Sequence, residues 1–217
     1  MRHAFRSTPA ETLIETIIAI TVIIMGTAAA LSMLRTSLDG NELVGQKVVA
    51  INLAVEGLDA LKNIRDTNYL RFPADADTCW YTFGGTTAAC GDGTPLQNNR
   101  TYFYYRDFSG STALDWGLTR VTNTNTQGYL TLYGLDLDGD GNSDMDLYAQ
   151  ANVTESGFST QETQAFKRTV LIEYNDTNVD GSNDNDDASY DATVTVSWTQ
   201  RGVTHTISLT RTIANVY

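Results

Sequence analysis

Two short segments concentrate aspartates at the spacing of a loop that binds a hard cation. Residues 136–146 and 176–187 together hold ten of the 26 acidic side chains. The first runs Asp-x-Asp-x-Asp-Gly-x-x-Asp from Asp136 to Asp144, and the second repeats this spacing from Asp176 with Asn178 at the third position. Oxygen ligands at positions one, three and five converge, glycine at six permits a sharp turn, and position nine closes the site. The spacing predicts two divalent-cation sites.

These loops resemble the EF-hand-like calcium loops of exported bacterial proteins, which implies up to two Ca²⁺ ions. Asp187 stands at position twelve of the second loop, whereas Leu147 stands there in the first, so either Asp144 or Asp146 compensates or the first site is weaker. The alternative is a pair of solvated acidic turns, although a bound ion relieves the repulsion among the carboxylates. The candidate ligands are Asp136, Asp138, Asp140, Asn142, Asp144 and Asp146 in the first loop, and Asp176, Asn178, Asp180, Ser182, Asp184 and Asp187 in the second.

A third candidate is Glu15, which stands at the start of an apolar segment. Residues 16–34 contain no charge, and at about 1.5 Å per residue they nearly cross a hydrocarbon core. Arg2, His3 and Arg6 precede the segment, so the positive-inside rule places the N-terminus in the cytoplasm and the remainder outside. A carboxylate entering an apolar bundle needs a partner, and the free amine of a neighbouring helix can supply one. The alternative is a glutamate that snorkels to the interface.

Three interpretations of this segment compete. It is a permanent single-pass anchor, a secretory signal cut before Leu31, or a processed assembly helix. The stretch Ala10-Glu11-Thr12-Leu13-Ile14-Glu15 resembles the processing motif of type IV prepilins and pseudopilins. The resemblance implies that a prepilin peptidase removes residues 1–10, that Glu11 becomes an N-methylated terminus, and that Glu15 sets the register between subunits. The chain departs from the family at Ala10, where glycine is usual, and at Glu11, where an aromatic residue or Met is usual.

The elements that position these groups form an expected α+β fold. We expect a leader over residues 1–10, a membrane and stem helix over 11–66, and a β-rich extracytoplasmic head over 67–217. In the stem, an apolar stripe at spacings of four and three predicts the face that packs on the sheet. The stripe consists of Val44, Val48, Ile51, Val55 and Leu58, with Leu61 beside them. A long helix on an antiparallel sheet is the pilin-like arrangement.

Alternation of apolar and polar residues predicts the strands of the head. The clearest signal is a hairpin in which residues 192–199 and 206–213 flank a turn at Gln200-Arg201-Gly202. Further strands are predicted over residues 100–106, 129–135, 145–153 and 167–174. Residues 80–85 read as a strand that reaches a Gly-Gly turn.

The two cysteines, Cys79 and Cys90, flank residues 80–85. In an exported head we expect them to form a disulfide that closes a short loop, with two free thiols as the alternative. Two cysteines are too few for a four-thiolate zinc site.

Composition and the motifs that the sequence lacks argue against several classes of function. The net charge of −12 argues against nucleic-acid binding, which requires a clustered basic surface. The sequence has no P-loop, nucleophile elbow or zinc signature, and one histidine outside the leader, so we expect no enzyme. We expect a subunit of a surface filament, either a type IV pilus or a secretion pseudopilus. Its expected partners are the membrane, other pilin subunits and the inner-membrane assembly machinery. The alternative is a membrane-anchored, calcium-dependent adhesin that does not polymerise.

Overall fold

A computed structural model describes residues 9–83, 93–106, 116–122, 127–136, 138, 140, 142–149, 158–175 and 188–215. Two helices come first, α1 over Pro9–Arg71 and α2 over Ala76–Cys79. The strands are β1 Thr82–Phe83, β2 Thr94–Pro95, β3 Arg100–Arg106, β4 Trp116–Arg120, β5 Tyr129–Leu135, β6 Met145–Ala149, β7 Phe158–Tyr174, β8 Ser189–Gln200 and β9 Val203–Ala214. The expected α+β class, with a long N-terminal helix and an antiparallel sheet, is confirmed at this level.

Helix α1 continues five residues past its predicted end at residue 66. It ends at Arg71 because Pro73 disfavours the helical conformation for Phe72, the residue before it. The Asn68 side chain then fixes the next segment, donating hydrogen bonds to the carbonyls of Cys79 (2.9 Å) and Thr82 (2.6 Å). The helix therefore extends into the contacts that position α2 and β1.

The chain forms two compact units, residues 1–46 and residues 47–217. The second unit contains a seven-stranded antiparallel sheet in the order β4-β3-β7-β5-β6, with β8 paired to β7 and β9 paired to β8. A separate antiparallel pair joins β1 to β2. The predicted hairpin is confirmed as β8 and β9, and the predicted strands over 100–106 and 129–135 match β3 and β5.

Other strand predictions were less accurate. Strand β7 starts at Phe158 rather than at 167. Strand β6, Met145–Ala149, matches the described part of the strand predicted over 145–153, whose last four residues lie outside the described residues. Of the strand predicted over residues 80–85, Thr82–Phe83 forms β1, while the predicted Gly-Gly turn at 84–85 lies outside the described residues. Strand β4 was not predicted. Strand β4 and the first part of β7 lack strict apolar–polar alternation, and pairing with β3 and β5, respectively, defines them as strands.

The buried face of the stem differs from the predicted stripe. Val48, Ile51 and Val55 remain 52%, 39% and 39% exposed, and only Leu58 and Leu61 of the predicted set are buried. The buried face consists of Ala50, Leu53, Ala54, Gly57, Leu58, Ala60 and Leu61. Small residues lie there because the opposing sheet carries bulky side chains: a Cβ on Gly57 would lie 3.1 Å from Val194 and 3.3 Å from Tyr104. Close approach between backbones, rather than side-chain hydrophobicity alone, selects the buried face.

Candidate functional site

The first unit is an apolar helix without an internal core. All large apolar side chains from Leu13 to Leu38 are more than half exposed. Threonine hydroxyls in this segment donate to carbonyls of their own helix, as Thr21 does to Ile17 (2.8 Å) and Thr27 to Ile23 (3.0 Å). Their polar groups are thereby satisfied without water, as a lipid environment requires. In the described part of the chain, α1 is the one helix that is long and apolar enough to cross a membrane.

The predicted processing and assembly residues all lie on this helix. Ala10 and Glu11 fall in its first turn, and Glu15 is exposed one turn later. Between Leu13 and Leu34, Glu15 is the only charged residue in the sequence. The carboxylate therefore lies on an otherwise apolar stretch of the helix.

The first aspartate loop connects β5 to β6. Leu135 and Met145 are paired across the two strands, and the Asp144 amide donates to the Leu135 carbonyl (2.9 Å). These contacts bring the first and ninth positions of the loop to the same end of the hairpin. The sheet, rather than a pair of helices, thus holds the loop.

Three of the six predicted ligands in this loop converge. One carboxylate oxygen from each of Asp136, Asp138 and Asp144 lies within 4.8 Å of the others, a spacing that permits shared coordination of a metal ion. Asp138 and Asp144 are exposed and Asp136 is half-buried. These residues occupy positions one, three and nine of the predicted loop.

The remaining predicted ligands make other contacts. Asp140 Oδ1 accepts from the Asn142 amide (2.7 Å), and Asp140 Oδ2 accepts from Asn142 Nδ2 (3.0 Å). The hydrogen bonds from the Asn142 side chain and backbone lower the pKa of Asp140, so this carboxylate stays ionised to lower pH than usual. Asp146 Oδ1 lies 3.5 Å from Ser143 Oγ. Asp140, Asn142 and Asp146 are not part of the three-carboxylate cluster.

Two other predictions extend beyond the described residues. All six predicted ligands of the second loop, Asp176, Asn178, Asp180, Ser182, Asp184 and Asp187, lie outside them. Cys79 is completely buried at the end of α2, whereas Cys90 lies outside the described residues. The second cation site and the Cys79–Cys90 disulfide stay predictions.

Sequence reasoning missed Arg168, which joins the stem to the sheet. Its side chain is 1% exposed, and Nη1 donates to Glu56 Oε2 (2.8 Å) and to the Leu53 carbonyl (3.1 Å). The guanidinium carbon also lies 4.9 Å from the ring centroid of Tyr104. The signal was present in the sequence: Arg168 falls at a core position of an alternating strand, between Phe166 and Val170.

Comparison with known proteins adds no relative. No protein-family model matches the chain, and neither a curated protein nor a solved structure matches it significantly.

Proposed function

We propose that this chain is a structural subunit of an extracytoplasmic filament of the type IV pilus or pseudopilus kind. Residues 1–10 are a leader removed by a prepilin peptidase, with methylation of the new N-terminus at Glu11. The apolar helix holds the subunit in the membrane, N-terminus inward, until it packs against other subunits. The proposal rests on the motif at Ala10–Glu15 and on two apolar surfaces of α1. One is the uncharged segment at residues 16–34, and the other is the exposed stripe of Val48, Ile51 and Val55 on the stem.

One observation carries the proposal: the stem has an apolar face that the sheet does not cover. Val48, Ile51 and Val55 are exposed in the second unit, which also contains the folded sheet. A single-pass anchor needs an apolar surface only where it meets lipid. An apolar stripe on a stem that carries its own sheet instead favours contact with a further helix.

Glu15 fixes the axial register of the contact between neighbouring helices. In an apolar bundle its carboxylate has few partners, and the amine of a neighbouring processed subunit supplies charge and hydrogen-bond donors. Pairing of this kind favours one axial offset between neighbouring helices over the others. Filaments need such a fixed offset because every subunit must repeat the same contact.

Calcium binding at the first loop is a second part of the proposal. The convergence of Asp136, Asp138 and Asp144 supports it, since three hard oxygen ligands suit Ca²⁺ and relieve their mutual repulsion by binding it. The ion is proposed to hold the β5–β6 loop in one conformation at the surface of a filament.

The decisive experiment follows the full chain in a bacterium that has a type IV assembly system. Sheared surface filaments are quantified by electron microscopy and immunoblotting, and the mature N-terminus is determined by mass spectrometry. The wild-type chain is expected to form filaments from subunits that begin at a methylated Glu11. Glu15→Ala is expected to reduce filaments by about ten-fold or more while leaving the amount of membrane-inserted protein unchanged, since it removes the register contact but not the apolar segment.

Glu42→Ala is the matched control, because it removes an exposed acid from the same helix. Among its described contacts, Glu42 accepts only a long hydrogen bond from Gln46 (3.4 Å). Filaments are expected to persist in this variant. A wild-type chain that begins at Met1 and never leaves the membrane contradicts the proposal and favours the non-polymerising adhesin. Mature protein that begins at Leu31 contradicts it in favour of secretion.

A further inference from the structure

Strand β9 forms a long edge of the seven-stranded sheet. Its twelve residues pair with β8 along their whole length, and no other strand in the described part of the chain pairs with it. An edge strand presents a row of backbone N–H and C=O groups that can pair with another chain. The length of β9 is about twice that of an average strand.

The hairpin turn decides which backbone groups face outward. Arg201 and Gly202 both have positive φ, at 52° and 80°, which identifies a two-residue type I′ turn. Gln200 and Val203, which flank such a turn, exchange hydrogen bonds with each other, and the hydrogen-bonded pairs then recur at every second residue. The residues of β9 whose N–H and C=O face away from β8 are therefore Thr204, Thr206, Ser208, Thr210 and Thr212, followed at the end of the strand by Ala214, whose carbonyl accepts from Arg65 Nη1 (3.2 Å).

This edge lacks the features that usually prevent association. It contains no proline or lysine, and its one permanent charge, Arg211, is directed into an ion pair with Asp59 on the stem (2.9 Å). From Thr204 to Thr212, the residues with outward backbone groups carry only small hydroxyl side chains, which are exposed. The edge is thus long, nearly uncharged and accessible.

We propose that β9 pairs with β9 of a second copy of this chain, antiparallel and centred on Ser208. In this register Thr204 opposes Thr212, Thr206 opposes Thr210, and Ser208 opposes its own equivalent. The five outward-facing residues from Thr204 to Thr212 then meet one another, and Ala214 lies beyond the paired segment. The apolar positions match as well, because Ile207 opposes Leu209 on both sides of the two-fold axis.

The sequence of β9 favours self-pairing over another partner. On both sides of Ser208, threonines alternate with larger residues, so two antiparallel copies place residues of the same kind opposite each other. Hydroxyls meet hydroxyls, and the same kind of contact already exists inside the molecule. Thr193 and Thr210 hydroxyls lie 2.8 Å apart across β8 and β9, and those of Thr195 and Ser208 lie 3.0 Å apart. The register also places no like permanent charges opposite each other, because Arg211 opposes His205. A two-fold interface requires self-complementarity of this kind.

This interface lies on the sheet and does not depend on the proposed function. It gives the second unit a self-contact that is separate from the apolar helix. If the subunits form a filament, this contact would join subunits of two different filaments. All subunits of a polar filament point the same way, so a two-fold contact cannot repeat along it.

The test compares Ser208→Pro with Ser208→Ala in the detergent-solubilised full chain. Proline removes the outward N–H at the two-fold axis and leaves the ladder to β8 intact, whereas alanine keeps the N–H and removes only the hydroxyl. Self-association is measured by sedimentation velocity over a wide concentration range, with circular dichroism to verify the fold. We expect dimers of the wild type and of Ser208→Ala, and association of Ser208→Pro weaker by about ten-fold or more.

Cysteine cross-linking tests the register even where the proline variant fails to fold. Ser208→Cys is expected to form an intermolecular disulfide, because paired Cα atoms in an antiparallel ladder lie about 5.5 Å apart. Thr195→Cys is the control: it lies on the same exposed face one strand away from the edge, and its equivalents would be about 14 Å apart. Equal association of the proline and alanine variants, or equal cross-linking at 195 and 208, overturns the proposal. Glu15→Ala leaves β9 pairing unchanged, so failure of the filament proposal is distinguishable from failure of this one.

Discussion

At the scale of single residues, the most consequential contact is the one that Arg168 makes with the stem. A buried guanidinium is costly unless its donors are satisfied, and here one nitrogen serves both the Glu56 carboxylate and a backbone carbonyl. Glu56 is 39% exposed, so water offsets part of the pairing energy. The arginine therefore acts mainly through satisfied hydrogen bonds and packing against aromatic rings.

Replacing Arg168 is expected to destabilise the second unit. Arg168→Met retains much of the side-chain volume but leaves the Leu53 carbonyl without this donor, and we expect a loss of about 2 kcal/mol in the free energy of unfolding. Arg168→Lys is expected to recover only part of this loss, because a lysine ammonium does not stack on Tyr104 as a planar guanidinium does. Chemical denaturation provides the measurement. A lysine variant as stable as the wild type contradicts the role given to the guanidinium plane.

The aspartate cluster supports a second prediction at this scale. Calcium is expected to raise the thermal midpoint of the chain relative to chelator, because an ion that binds only the folded state stabilises it by about 2.7 kcal/mol at a hundred times its Kd. Asp138→Ala combined with Asp144→Ala is expected to abolish calcium binding at the first loop. Asp146→Ala is the matched control, since this residue lies outside the three-carboxylate cluster and its loss is expected to leave the site intact. Calorimetric titration separates this site from any binding at residues 176–187.

Identical melting curves of the wild type with calcium and with chelator contradict the calcium prediction. So does an Asp146 variant that loses as much affinity as the Asp138/Asp144 variant.

At the scale of elements, the stem helix carries apolar residues on more than one face, and contact with the sheet decides which of them are buried. Small residues lie toward the sheet, where Tyr104 and Val194 approach the backbone of Gly57. The branched residues Val48, Ile51 and Val55 lie on other faces and remain exposed. Helical periodicity identified an apolar stripe but could not identify which stripe the sheet covers.

Gly57→Ala tests this close approach. The added methyl gains about 1 kcal/mol of helix propensity but meets two completely buried side chains that cannot move away, so we expect a net loss of about 1 kcal/mol in unfolding free energy. Gly45→Ala on the same helix is the control, because a Cβ there contacts nothing within 4 Å. No loss of stability is expected from it, whereas an equally stable Gly57→Ala variant contradicts the packing argument.

At the scale of the whole molecule, the chain divides into an apolar helical unit and a unit with a core of its own. The second unit buries aromatic side chains from several strands and from the end of α2, including the stacked rings of Trp80 and Tyr190, whose centroids lie 5.3 Å apart. From Leu13 to Leu38, the first unit buries none of its large apolar side chains. Folding of the two units is thus expected to be independent.

A fragment of residues 47–217 is expected to fold without the apolar segment. We expect it to be soluble and to unfold in one cooperative transition, with a midpoint within a few degrees of that of the full chain in detergent. Differential scanning calorimetry and near-ultraviolet circular dichroism provide the measurements. Loss of near-ultraviolet signal or of cooperativity in the fragment contradicts this division.

The sequence by itself determined the features that depend on local order. The apolar run at residues 16–34, the alternation in β8 and β9, the turn at Arg201-Gly202 and the ligand spacing of the first loop are all set by neighbours in the chain. Each follows from helical or strand periodicity or from the φ angle that a turn requires.

Only the tertiary structure decided the features that depend on distant residues. It selected the face of the stem that the sheet covers, because the steric fit of Gly57 against Val194 and Tyr104 joins positions far apart in sequence. It placed Arg168 beneath the stem, and it brought together Asp136, Asp138 and Asp144 while turning Asp140 toward Asn142. It also left β9 at an edge, because strand order is a property of the whole sheet. Periodicity measures only how apolar a face is, whereas backbone approach and strand order depend on what the rest of the chain places opposite it.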